Sequence, residues 1–128
     1  MHRKIKQILF FVFAERIKRL FRKNRERLRW IQFERKWKKL SDLLQQQPNQ
    51  STADEAVGLW KGYLEHLRSQ PIQEWTSSEI AAALDDKEVF KALRTIDMII
   101  YAGAEGDTSA ATSYLLEVAK ANYRTTLN

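Results

Sequence analysis

Apolar positions recur along the first third of the chain at the spacing of one helix face. Phe10, Phe13, Ile17 and Leu20 follow each other at 3, 4 and 3 residues. After Asn24 a second stripe runs through Trp30, Phe33, Trp37, Leu40 and Leu44, again at 3, 4, 3 and 4. No Gly or Pro interrupts residues 3–47, so one long helix, with Asn24 as the place for any bend, is the simplest reading. Three aromatics make the second stripe a poor coiled-coil seam, because a and d positions favour aliphatic knobs. It is expected to dock on the segment that follows.

A polar break with a proline, Gln45-Gln46-Gln47-Pro48-Asn49-Gln50, divides a 1–45 arm from a domain over 51–128. Ser51-Thr52-Ala53-Asp54-Glu55 then reads as a capping box with Thr52 as N-cap. The helix it opens presents Ala56, Trp60, Tyr63, Leu64 and Leu67, and Pro71 limits it. A second box, Thr76-Ser77-Ser78-Glu79, opens a short helix with Ile80, Ala83 and Leu84. Asp85-Asp86 starts a third, with Val89, Leu93, Ile96 and Ile100 on one face and Phe90 beside them. Gly103 to Asp107 reads as a loop. Asp107 or Thr108 caps a last helix bearing Ala111, Leu115, Val118 and Ala119. The expected fold is all-α: a long basic amphipathic N-terminal helix plus a small four-helix C-terminal domain. Four short helices enclose little apolar area, and docking of Trp30–Leu44 would add a fifth wall.

Composition sharpens this picture in two places. Only four Gly and two Pro occur in 128 residues, which suits helices with short connections. There is no Cys, which removes disulfides, thiolate nucleophiles and sulfur-ligated metals. Charge changes it more. Residues 1–39 hold 15 of the 22 Lys and Arg against Glu15, Glu26 and Glu34, so the arm is near +12 and the remainder near −6. The basic half calls for an anionic surface, and the acidic half would repel one.

Residues Ile8 to Ala14 form an unbroken apolar run. Seven residues make roughly 10 Å of helix against a hydrocarbon core of roughly 30 Å, so the run cannot span a bilayer by itself. Glu15-Arg16 follows it instead of a small-residue cleavage site, which argues against a signal peptide. The run either lies in the membrane interface as an amphipathic anchor or is the cytoplasmic end of a transmembrane helix that lies largely outside this chain. Phe10, Phe11 and Phe13 would enter lipid, and Arg16, Lys18, Arg19, Arg22 and Lys23 would meet acidic headgroups. A solvated helix face serving a protein partner is the bland alternative. Nucleic acid is a weaker one, since no zinc-finger spacing, aromatic strand platform or helix-turn-helix accompanies the bases.

The chemistry-bearing residues form no constellation. His2 and His66 lie far apart, and His66 falls on the helix face opposite Trp60 and Tyr63, where a surface role is expected. Asp85-Asp86-Lys87-Glu88 is explained by helix-start chemistry, and Gly103-Ala104-Glu105-Gly106 lacks the lysine of a phosphate loop. Asp97 is expected at the surface, within reach of Arg94 or Lys120. A serine nucleophile would have no spare base. No catalytic, cofactor-binding or metal-binding residue is assigned, and no small-molecule substrate is expected.

Three stretches carry a family likeness: Leu59-Trp60-Lys61-Gly62-Tyr63-Leu64; Trp75-Thr76-Ser77-Ser78-Glu79-Ile80 with Leu84; and Leu93 with Asp97-Met98-Ile99-Ile100-Tyr101-Ala102-Gly103. Over roughly residues 56–122 the chain resembles the helical cytoplasmic region of the BatD-like membrane proteins associated with MoxR-type AAA+ ATPases and von Willebrand A-domain proteins. A complete transmembrane helix and a periplasmic β-domain, which such proteins carry, do not occur in this chain. The resemblance implies an accessory, non-enzymatic role on the cytoplasmic side of a membrane, with an AAA+ ATPase or von Willebrand A-domain protein as partner.

Overall fold

A computed structural model describes residues 2–99 and 107–128. The described residues fold as helices with no strand. Helix α1 (His2–Gln46) is continuous over 45 residues and passes through Asn24 without a break. At 1.5 Å per residue it is a rod of roughly 68 Å. Pro48 lies just beyond its end, where a chain that cannot donate an amide has to leave the helix.

Helix α2 (Gln50–Arg68) begins earlier than a Thr52 cap implies. Asn49 is the N-cap, in extended backbone, and its side chain accepts from the Thr52 amide at 2.8 Å. Asn outranks Thr at this position, and Asn49 is the first residue after Pro48 able to take it, so Gln50 and Ser51 are drawn into the helix. The helix closes at Ser69, which adopts the left-handed conformation (φ 54°) and donates its amide to the Glu65 carbonyl. A 3-10 turn over Ile72–Glu74 follows and buries Ile72, a feature the sequence pattern does not announce.

Helix α3 (Ser77–Leu84) opens on the expected capping box, with both the Thr76 and Glu79 halves made. The acidic pair after it divides its work. Asp85 ends α3 with φ 51°, and Asp86 caps α4 (Lys87–Asp97) by accepting from the Glu88 amide. Asp107 caps α5 (Thr108–Leu127) through the Ala110 amide. Ile100 and the Gly103–Asp107 loop, apart from Asp107, lie outside the described residues.

The second stripe of α1 docks as its pattern predicts. Trp30, Phe33, Trp37, Leu40 and Leu44 are all buried, in one cluster with Trp60, Leu64, Ile80, Leu93, Ile96 and Leu115. α1 packs on α2 and α5 there. Two indoles tie the layers: Trp37 Nε1 donates to the Thr112 carbonyl at 3.0 Å and Trp60 Nε1 to the Leu115 carbonyl at 2.8 Å. Helical carbonyls keep a second lone pair for such bonds, so each Trp is buried with its polar atom satisfied. The expected core is trimmed in places. Ala83 is exposed, because on an eight-residue helix only Ile80 reaches the core, and Leu67, Leu84, Phe90 and Val118 are partly covered.

Candidate functional site

The N-terminal half of α1 projects from this core. Phe10 is 74% exposed, Phe11 65% and Phe13 61%, and Ile5, Ile8, Leu9, Val12, Leu20 and Phe21 are exposed with them. Arg16, Lys18, Arg19, Arg22 and Lys23 follow, also exposed. All eight residues singled out from the sequence therefore share one projecting stretch. Lys18 has Glu15 at 3.7 Å. Among the described residues no carboxylate forms an ion pair with Arg16, Arg19, Arg22 or Lys23, so their charge is available to an anionic surface. Consecutive bulky apolar side chains exposed in this way are uncommon on a protein surface without a partner.

The root of the arm is held by aromatic stacking and a polar joint. Trp30 stacks on Tyr123 with ring centroids 5.3 Å apart, and Phe33 on Tyr63 at 4.3 Å. Flat contacts of this kind give the arm a fixed direction of exit from the domain. Above them Glu26 Oε2 lies 2.9 Å from His66 Nε2, and the Arg29 guanidinium reaches the same imidazole at 2.9 Å. His66 is a surface residue, as expected, yet it bridges α2 to α1. No sequence signal announces a pair 40 residues apart in which both members look like ordinary solvated residues. The Tyr63 hydroxyl is buried and has no hydrogen-bond partner among the described residues. Burial, followed by Glu26 and Tyr123, holds its pKa above the ordinary tyrosine value.

Two grooves flank the core. One of about 370 Å³ runs between α1 and α2, with Arg29, Lys36 and His66 at its rim, Phe33 and Tyr63 in its lining, and open space at Gly58. The other lies between α3 and α4, lined by Ala81, Ala82 and Phe90 with Asp85 and Asp86 beside them. Near it the Tyr114 hydroxyl donates to Asp86, and this bond to the carboxylate pushes the Tyr114 pKa up to about 12. Asp97 ends α4 at the surface. Burial raises its pKa and Lys61 and Arg94 oppose the rise, Lys61 rather than Lys120 being the second cation in play. Among the described residues no group of three His, Asp or Glu side chains could hold a metal ion. No described helix is long and apolar enough to cross a membrane.

No family model, curated protein or solved structure matches this chain.

Proposed function

We propose that this protein is a non-enzymatic adaptor at an anionic membrane surface, with the projecting half of α1 as its lipid-binding element and the helical domain as its platform for a protein partner. One observation carries the reading: six consecutive apolar side chains, Ile8 to Phe13, stand exposed, and beyond Ala14 and Glu15 the exposed cations Arg16, Lys18, Arg19, Arg22 and Lys23 follow with Glu15 as the one acid among them. A buried Phe side chain is worth roughly 1.5–3 kcal/mol, and a near-surface cation roughly 1 kcal/mol. Neither set alone gives durable anchoring, but together they supply the two signals that stable attachment takes. The resemblance to BatD-like tails extends the proposal to the partner, an AAA+ ATPase of the MoxR type or a von Willebrand A-domain protein, and to the cytoplasmic side of the membrane. A nucleic-acid role for the same cations leaves the exposed phenylalanines without a task.

Flotation with anionic liposomes tests the lipid reading. The parent chain is expected to float. The triple variant Phe10→Ser, Phe11→Ser, Phe13→Ser is expected to float poorly at low salt and not at all near 1 M, where the Debye length is roughly 3 Å and the charge contribution is screened. A triple variant that floats like its parent would remove the phenylalanines from the site.

A further inference from the structure

The face of α1 turned away from the domain carries its own apolar stripe, and it continues past the projecting run. Phe10, Phe13, Leu20, Phe21, Leu28 and Ile31 are all exposed. At 3.6 residues per turn they fall within a sector of about 100°. Between residues 9 and 31 that sector holds no charged residue, and Asn24 is its one polar member. The docked residues Trp30, Phe33 and Trp37 centre about 160° away on the same helix. The contrast is direct within two turns: Leu28 is 52% and Ile31 38% exposed, whereas Trp30 is 8% and Phe33 3%.

Charges are sorted to match. Arg16, Lys23 and Arg27 border the stripe on one side and Lys18 and Arg25 on the other, while Arg19 and Arg22 fall toward the docked side. Glu15 and Glu26 fall on the docked side, and Glu26 is turned to His66 of α2. An apolar sector bordered by cations, with acids behind, is the pattern of a helix lying in the plane of a membrane interface.

We infer that α1 lies flat on an anionic lipid surface along Phe10 to Ile31, roughly 32 Å of helix, with the acidic domain suspended from its opposite face. This rests on the membrane reading above and goes beyond it by fixing the orientation. An end-on arm would leave Leu28 and Ile31 in water beside the domain. A flat arm covers them and keeps a domain of about −6 charge on the side away from anionic headgroups. A second copy of the chain suits the stripe less well, because two such faces would bring cations together along both edges.

The chain has no cysteine, so single cysteines carrying an environment-sensitive nitrobenzoxadiazole label report one position each. Phe13→Cys, Leu20→Cys and Leu28→Cys lie on the stripe, and Ser113→Cys lies on the exposed surface of α5. None of the four disturbs the core. On phosphatidylcholine vesicles containing phosphatidylserine, the three stripe labels are expected to shift to the blue and to be quenched by headgroup-attached quenchers, with Ser113 unchanged. A shift at Phe13 with Leu28 still aqueous would overturn the flat orientation and leave membrane binding standing. A shift at Ser113 would also overturn it, since the domain would then rest on lipid. A shift at Leu28 without vesicles, growing with protein concentration, would assign the stripe to a second copy. No shift at any position together with no flotation would bring down both the orientation and the membrane reading.

Discussion

Tyr63 sits against Phe33 and Trp30 with its hydroxyl buried and unpartnered. A buried hydroxyl without a hydrogen bond costs stability, while the ring itself is needed for the stack. Tyr63→Phe should therefore leave stability at pH 7 unchanged or raise it by up to about 1 kcal/mol. The pH dependence follows from the raised folded-state pKa. The native state holds the Tyr63 proton more tightly than the unfolded chain, so its contribution is complete below about pH 10 and is lost as pH rises further. The Phe variant should lose part of that alkaline decline. Tyr114, whose pKa is raised through Asp86, should retain a share of it. Denaturant melts at neutral and alkaline pH check both points. A loss of more than about 1 kcal/mol at pH 7 would mean that the hydroxyl has a partner worth keeping.

At the scale of the helix, α1 serves two neighbours that make different demands on its sequence. From Trp30 to Leu44 it is a wall of the core, and Trp37 is 1% exposed with its indole bonded to α5. Trp37→Ala should cost roughly 3–5 kcal/mol through the cavity it leaves, read as a lower denaturant midpoint. A loss under about 1 kcal/mol would make α1 an appendage of a domain that is complete without it. This docking was legible in the sequence because a 3, 4, 3, 4 stripe rich in Trp and Phe needs a covering surface. The Thr76 box was legible for a similar reason, since it sits directly before a periodic apolar segment, and so were the helix starts at Asp85-Asp86 and Asp107-Thr108, though not which member of each pair is the cap. The start of α2 was not, because Asn49 and Thr52 are both competent caps and the residue left beside Pro48 decides between them. Neither was the exposure of Ala83, since an eight-residue helix has room for one fully buried anchor and alanine favours either environment.

Across the whole molecule, charge and apolar surface are divided by the same axis. The cations gather along α1, the exposed phenylalanines on its free half, and most of the acids on the helices packed beneath its other half. The eight residues singled out stood out in the sequence because a seven-residue apolar run flanked by bases has few roles in a helix, and all eight are exposed. The joint of Glu26, Arg29 and His66 was not readable. It forms only when α1 and α2 pack, and each member alone looks like a solvated surface group. The outward stripe through Leu28 and Ile31 was hidden for a related reason: only the docking of Trp30 and Phe33 shows which side of α1 remains uncovered.

On the proposed reading lipid, and not a phosphate polymer, is what the arm binds. Parallel salt titrations of one preparation against anionic vesicles and against random-sequence duplex DNA test it most directly. Insertion of the apolar face that carries Phe10 and Phe13 does not depend on counterions, so vesicle affinity should fall with salt only to a plateau set by the apolar contribution. Duplex binding should be weak and should decline steeply over the same range. Tight, salt-steep duplex binding with no association to vesicles would contradict the account.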